Sequence, residues 1–236
     1  FIMEENNRII PWVVKYKPNT FEEIIFHKTI IDIIKNSLEN LPHLIFYGPN
    51  GVGKSSLIKI ITNSIFSTET FKQNVLFLSA SEQRGIGVVR QEIKNFAKQS
   101  VYLNEGNFKI VVLDEVDSMS FEAQSALRRI METYSKTTRF CFICNSINRI
   151  SNPIVSRCVK FLFKPIPAIE INNRLNYIAV KENLSDNKKK FIEKISNISN
   201  GDLRKAINLF EILSLSNNDK NILEFDLNYL IGTIKQ

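Results

Sequence analysis

The fold is decided by the stretch LIFYGPNGVGKSSLIKII, residues 44–61. It begins with a short apolar run, continues through a turn that fits G-x-x-x-x-G-K-[ST], and ends with apolar residues at helical spacing. A strand, a glycine-rich turn and a helix in this order distinguish a P-loop from an ordinary turn. The backbone N–H groups of such a loop, together with the start of the helix, bind phosphate oxygens.

Within this loop the side chains have separate predicted roles. Lys54 is predicted to reach the β- and γ-phosphates of ATP, and the Ser55 hydroxyl is predicted to bind Mg²⁺. The other predicted nucleotide contacts of the loop are Gly48, Asn50, Gly51, Val52, Gly53 and Ser56.

Further apolar runs at 75–78, 110–113 and 140–143 are short and unbroken. Such runs are typical of parallel strands that are buried on both faces. Helical spacing separates them over 55–65, 88–96 and 121–134. Alternating strands and helices predict an α/β fold with a parallel β-sheet flanked by helices.

The pattern changes after residue 163. Pro165 and Pro167 mark a hinge, and the remaining signals are helical, from 168 to 182, from near Ser185 and from near Gly201. We therefore predict an α/β core over residues 1–164 and a small all-α domain over residues 165–236.

Polar residues follow two of the predicted strands. In open α/β sheets ligands bind at the carboxyl ends of strands. Asp114 is therefore predicted to hold Mg²⁺, directly or through water, and Glu115 to act as the general base on an attacking water. Two acids after a strand also occur in solvated loops, and the accompanying P-loop favours the catalytic interpretation. Asn145 is predicted either to orient the water or to lie in an ordinary turn.

Two arginines lie near the ends of predicted elements. Arg157 falls just before the chain leaves the sheet, at a rim where an arginine finger reaches a neighbouring subunit's ATP. Such fingers raise the rate of phosphoryl transfer by a factor of ~10³–10⁵. Arg204 lies at the start of a helix and is predicted to fold over the γ-phosphate. Each arginine, taken alone, is also explained as a solvated surface charge.

The 236-residue chain carries a net charge of +7. This charge favours an anionic partner, either nucleic acid or a membrane surface, although simple solubility explains it equally well. No apolar run approaches the ~20 residues that span a bilayer. The three cysteines suit a reducing compartment, and Cys141 and Cys144 lie in an apolar strand, which favours burial over a zinc or redox site.

These motifs in this order resemble the AAA+ ATPases, specifically the small subunits of the eukaryotic and archaeal sliding-clamp loader, replication factor C. The resemblance covers essentially the whole chain. The Ser-Arg-Cys element at 156–158 discriminates best, because most other AAA+ families lack it. Besides the P-loop and Asp114-Glu115, the resemblance rests on the segments 11–18, 41–48, 82–86, 124–129, 138–141, 144–145, 156–158 and 201–204.

The resemblance implies roles for individual residues. Asn145 becomes the sensor 1 residue, Arg157 the finger that acts in trans, and Arg204 the sensor 2 residue. The segment 11–18 is similar to a box that contributes to the adenine pocket, which implies contacts from Val13, Tyr16 and Pro18. Val14 and Lys17 replace a glutamate and an arginine of that box, so a planar guanidinium is absent there.

The resemblance also implies the partners. The family forms a hetero-pentameric spiral that opens a ring-shaped clamp of the proliferating cell nuclear antigen type and loads it onto primer–template DNA in the nucleus, with no membrane involved. Arg84, Arg90 and Arg149 are predicted to follow the DNA backbone, with solvated charges as the alternative. Full-length subunits continue into a helical collar, so we expect this sequence to be a fragment.

The resemblance predicts an ATP-hydrolysing clamp-loader subunit. One alternative is a subunit that binds ATP structurally and serves as an assembly and DNA-binding scaffold; the Asp114-Glu115 pair favours hydrolysis over it. The other is a different DNA-directed AAA+ motor, such as a branch-migration helicase, which would need a DNA-binding winged helix after the lid.

Overall fold

The computed structural model describes residues 10–80, 86–99 and 108–215, with only the backbone described at residues 86, 88 and 89. The chain divides into two compact units. One is Pro18–Pro165, and the other joins the described residues up to Lys17 to those from Ile166 onward. Residues 10–17 are predicted to belong to the α/β core, whereas in the structure they pack with the helical unit.

The larger unit is built on a five-stranded parallel sheet in the order β2-β3-β4-β1-β5. The strands are β1 (Leu44–Tyr47), β2 (Val75–Ser79), β3 (Lys109–Asp114), β4 (Thr138–Cys144) and β5 (Val159–Leu162). The central strands are buried along nearly their whole length, which explains their unbroken apolar sequences. The predicted fold class is confirmed.

The edge strand β5 was not predicted. It pairs with β1 from Leu44 opposite Val159 to Tyr47 opposite Leu162. Three of its four side chains are exposed, so it lacks the continuous apolar run by which the central strands were recognised.

Helices cover the sheet and form the smaller unit. They are α1 (Trp12–Lys15), α2 (Lys28–Lys35), α3 (Lys54–Ile65), α4 (Thr68–Asn74), α5 (Ile86–Lys98), α6 (Phe121–Tyr134), α7 (Asn152–Val155), α8 (Ala168–Lys181), α9 (Asp186–Lys189), α10 (Ile192–Ile198) and α11 (Leu203–Leu215). Within the described ranges, none of these helices combines the length and apolarity that a membrane span requires.

A buried lysine ties α5 to the sheet. Lys109, the first residue of β3, is 2% exposed, and its ammonium donates hydrogen bonds of 2.9 Å to the carbonyl oxygens of both Phe96 and Gln99. These carbonyls lie at the end of α5, where a cation also interacts favourably with the helix dipole. Burial lowers the pKa of Lys109, and the two carbonyls satisfy its donors.

The helical unit includes the N-terminal segment as a packed part. The Trp12 ring meets the Phe210 ring edge to face at 5.7 Å between centroids, and the backbone N–H of Trp12 donates to Glu211 Oε2 at 3.1 Å. The Tyr16 hydroxyl donates to Glu182 Oε1 at 2.5 Å. Burial and this carboxylate both raise the pKa of Tyr16. Helix α1 is thereby held against α11, and Tyr16 against the end of α8.

The two histidines of the chain should make stability depend on pH. Burial lowers the pKa of both His27 and His43 from 6.5 to about 4. Between these values the unfolded chain binds protons that the folded chain does not, so stability should fall as pH falls from about 6.5 towards 4. Urea unfolding at about pH 7 and pH 5 measures this loss.

A control variant isolates the histidine contribution. His43 Nδ1 accepts the Phe140 N–H at 3.1 Å, and the Oδ1 of an asparagine lies near the same position. His27 has a left-handed φ of 68°, which asparagine also tolerates. The double variant His27→Asn, His43→Asn should show a smaller loss between the two pH values. Equal loss in both proteins would contradict the assignment.

Candidate nucleotide-binding site

The P-loop connects β1 to α3 and has a backbone that only glycine adopts readily. Gly48, Gly51 and Gly53 have φ angles of 140°, 69° and 100°. A Cβ atom on Gly48 would lie 2.1 Å from the carbonyl oxygen of Phe163, so no side chain fits there. The loop ends at the N-terminus of the twelve-residue helix α3, whose first N–H groups lack helical acceptors. This arrangement binds anions.

Lys54 is held inside this loop. It is 6% exposed, and its Nζ donates to the carbonyl oxygens of Gly48 and Pro49 at 2.7 and 2.6 Å. The same Nζ donates to Asn145 Oδ1 at 3.2 Å. The structure thus brings together the P-loop lysine and the polar residue that follows β4.

Ser55 and Asp114 also meet at this edge of the sheet. The Ser55 hydroxyl, in the first turn of α3, donates to Asp114 Oδ2, at the end of β3, at 2.9 Å. Hydroxyl and carboxylate oxygens are ligands that Mg²⁺ accepts. In the part of the chain that the structure describes, no group of three or more His, Cys, Asp or Glu side chains forms a metal cage. The pair therefore fits an ion that completes its coordination with phosphate and water.

Glu115 occupies an unusual turn directly after β3. Its φ is 57°, in the left-handed region that a non-glycine residue seldom adopts, and its side chain is exposed. The turn is fixed by Asp114 Oδ1, which accepts the Glu115 N–H at 2.9 Å, and by the Ser118 hydroxyl, which donates to the Glu115 carbonyl at 2.7 Å. Such local strain is found at functional sites. The exposed carboxylate is free of the sheet and accessible to a water molecule.

Asp117, which was not predicted as a site residue, connects the two ends of the site. It lies in the short 3-10 helix Val116–Ser118, two residues after Glu115. Its Oδ2 accepts the backbone N–H groups of Asn145 and Ser146 at 3.1 and 3.2 Å. One carboxylate therefore connects the turn after β3 to the turn after β4. It also fixes the backbone position of Asn145, from which the Asn145 side chain extends. A third acidic residue beside Asp114-Glu115 was the available signal.

Gln124 makes a second connection of this kind. Its side chain is 1% exposed on α6. Its Nε2 donates to the carbonyl oxygens of Met119 and Arg149 at 3.2 and 3.0 Å, and its Oε1 accepts the Ser151 N–H at 2.7 Å. Every bond is to backbone, so Gln124 holds the segments after β3 and β4 in one arrangement. Gln124 begins segment 124–129, one of the segments on which the resemblance rests, but its supporting role was not predicted.

Arg157 lies just beyond α7 with its guanidinium engaged on the protein surface. Its Nη1 donates to the Pro153 carbonyl oxygen at 2.6 Å, and its Nη2 lies 2.7 Å from Glu132 Oε1. The Arg157 side chain is 38% exposed. The predicted finger is thus held by its own chain and remains accessible.

The remaining predicted residues occupy varied positions. In the helical unit, Val13 and Tyr16 are half-buried, and Arg204 is exposed in the first turn of α11. In the larger unit, Val52 is buried, and the half-buried residues are Pro18, Gly51, Gly53 and Ser56. The exposed residues of that unit are Asn50, Arg90 and Arg149. Arg84 lies outside the described residues.

The cysteine pair on β4 is buried. Cys141 and Cys144 are both free thiols. Burial raises the pKa of Cys144 to about 12, so the thiolate form needed for metal binding or redox chemistry is disfavoured.

Comparison with known families matches both parts of the chain. Residues 44–166, just over half of the chain, match the ATPase family associated with various cellular activities (AAA). Residues 173–215 match the RCF1/5-like AAA+ ATPase lid domain.

Curated relatives extend the match over nearly the whole chain. Replication factor C subunit 4 of Homo sapiens is 45% identical over 95% of this chain and 64% of its own length. Replication factor C subunit 2 of Saccharomyces cerevisiae is 41% identical over 95% of this chain and 67% of its own length. The chain therefore spans about two thirds of the relatives it matches.

Solved structures agree on the fold. A RuvB structure from Thermotoga maritima superposes with a TM-score of 0.63 at 17% identity, covering 83% of this chain and 64% of that one. At this identity the likeness concerns architecture alone. The family matches and the sequence identities, together with the P-loop geometry, place the chain in the AAA family of ATPases and, within it, among the replication factor C subunits.

Proposed function

We propose that this chain binds Mg-ATP at its P-loop and hydrolyses it as one subunit of a clamp loader, which opens a sliding clamp and loads it onto primer–template DNA in the nucleus. The observation that carries the proposal is the convergence of Lys54, Ser55, Asp114 and Asn145 at one edge of the sheet. The identity to replication factor C subunits supports the cellular role.

The chain's own residues divide the chemistry among them. The loop N–H groups and the start of α3 bind the phosphates, and Lys54 exchanges its carbonyl acceptors for phosphate oxygens. Mg²⁺, when bound by Ser55 and Asp114, neutralises charge on the β- and γ-phosphates. Glu115 accepts a proton from the attacking water, and Asn145 orients that water.

Part of the site comes from another subunit. We propose that Arg157 acts at the neighbour's ATP, so that the site on this chain receives its arginine from the subunit on the other side. Assembly is then required for fast turnover, because a transition state with charge on the phosphoryl oxygens needs this cation. The adenine contacts of Val13, Tyr16 and Pro18 and the sensor role of Arg204 stay predictions.

A clamp-loading assay tests the function. The complex, reconstituted from the full chain and its partner subunits, is mixed with the clamp, ATP and primed circular DNA, and the clamp retained on DNA is counted. Lys54→Ala in this chain should lower retention strongly. Full retention with the variant would favour a subunit whose nucleotide has only a structural role.

DNA contact should be visible in salt dependence. Arg90 on α5 and Arg149 after β4 are exposed cations of the larger unit. Each phosphate contact contributes about −0.9 to the slope of log K against log salt on duplex DNA. Arg90→Ala and Arg149→Ala should therefore each make the slope shallower by about 0.9. An unchanged slope would exclude that arginine from the DNA interface.

Asp117 should matter for both stability and turnover. Asp117→Ala removes the acceptor for two backbone N–H groups. A hydrogen bond to a charged group contributes ~1.5–3 kcal/mol to the free energy of unfolding. We expect a lower free energy of unfolding and a fall in turnover that exceeds any fall in ATP affinity, since Asn145 loses its support. Asp117→Asn keeps one oxygen acceptor and should be milder. Equal effects of the two variants would argue against this role.

A further inference from the structure

We propose that Glu132 is a positioning residue for hydrolysis in trans: it holds the Arg157 guanidinium in the orientation that meets a neighbouring subunit's ATP. The inference rests on the proposed role of Arg157 as a finger. It assigns a role to a residue that the motifs of the sequence did not single out.

The geometry shows a guanidinium held at two points. Glu132 Oε1 lies 2.7 Å from Arg157 Nη2, and the Pro153 carbonyl oxygen accepts Arg157 Nη1 at 2.6 Å. A guanidinium has five N–H donors in a fixed plane, so two contacts fix its plane while other donors remain available. A phosphate group can therefore approach Arg157 without displacing either anchor.

Glu132 is itself held in place. It lies in the last turn of α6, one helical turn after Arg128, whose Nε donates to the same Oε1 at 2.9 Å. Residues four apart on a helix face the same side. The two arginines keep the pKa of Glu132 below its ordinary value, with the Arg128 hydrogen bond as the largest cause. The carboxylate therefore stays charged and fixed on a regular helix.

The contact suits positioning rather than sequestration. The Glu132 and Arg157 side chains are 37% and 38% exposed, and ion pairs at that exposure are weak because water screens them. A weak pair cannot withhold the arginine from a polyphosphate. It can restrict the rotamers of the Arg157 side chain in advance, so that less conformational entropy is lost when the side chain binds the phosphate.

Glu132→Gln tests the inference in the complex reconstituted from the full chain and its partner subunits. The variant should lower turnover at the neighbour's site about two- to five-fold at saturating ATP, the effect of losing one exposed pair. The affinity of either site for ATP should not change. Combined with Arg157→Ala, Glu132→Gln should cause no further loss, because its effect acts through that arginine.

A matched control is available on the same unit. Glu22 is an exposed glutamate that pairs with Lys35 at 2.8 Å, and Glu22→Gln should leave turnover unchanged. Unchanged or faster turnover in Glu132→Gln, with Arg157→Ala still slow, would overturn the positioning role alone. If Arg157→Ala itself leaves turnover unchanged, the trans role fails, and the role of Glu132 fails with it.

Discussion

Replacing Arg157 by alanine is expected to lower ATP turnover at the neighbouring subunit's site by ~10³–10⁵-fold, the contribution of an arginine finger. The guanidinium is accessible, and its contacts are to Pro153 and Glu132, which leave donors available for a phosphate. Single-turnover hydrolysis in the reconstituted complex measures the effect. ATP binding by this chain should be retained, because Arg157 is not proposed to act at its own P-loop.

Two variants serve as controls for this result. Arg157→Lys keeps the charge but loses the planar fork, so it should restore little of the rate. Arg128→Ala removes another cation beside Glu132 and should have a much smaller effect, since Arg128 is not proposed to reach the nucleotide. Comparable losses in Arg128→Ala and Arg157→Ala would attribute the effect to surface charge instead of a finger.

Replacing Glu115 by glutamine should slow hydrolysis at this chain's own site by ~10²–10⁴-fold, because a positioned general base contributes that much. Glutamine preserves the size of the side chain and the left-handed turn, so the loss can be assigned to the carboxylate. ATP affinity, measured by titration with a fluorescent analogue, should remain close to that of the wild type.

Glu122→Gln is the matched control for Glu115. Glu122 is also an exposed glutamate, in the first turn of α6. Its substitution should change neither binding nor turnover. If Glu115→Gln hydrolyses ATP at the wild-type rate, the carboxylate is not the base, and the reading of this chain as a subunit that binds ATP structurally gains support.

The central part of the fold could be predicted because its signals are local. Buried parallel strands read as unbroken apolar runs, and the glycines of residues 48–53 show where the chain turns towards α3. The residues that meet at the sheet edge follow from the same rule, since the carboxyl ends of parallel strands share one edge. Asp114 and Asn145 were recognised in this way, whereas Ser55 was recognised from the P-loop motif.

Features that depend on distant contacts could not be predicted from local patterns. Trp12 packs against Phe210, and its backbone pairs with Glu211, 199 residues further along the chain. No local pattern shows that this N-terminal segment joins the helical unit. The edge strand β5 was missed for a different reason, since three of its four side chains are exposed and Lys160 interrupts the apolar run.

The supporting residues of the site were missed because they act through backbone groups. Asp117 and Gln124 hold the turns after β3 and β4 through hydrogen bonds to main-chain atoms, and the sequence does not show which main-chain atoms a side chain reaches. Glu132 is one glutamate among many in the composition, and only its 2.7 Å approach to Arg157 distinguishes it.

The most direct test of hydrolysis at a shared site is ATP turnover by this chain alone and after mixing with its partner subunits, the clamp and primed DNA. We predict slow turnover alone, strong stimulation on mixing, and loss of this chain's share of the stimulated rate in Lys54→Ala. A stimulated rate that Lys54→Ala leaves unchanged, in a complex that still assembles, would contradict the claim that this P-loop hydrolyses ATP in a site completed by a neighbour.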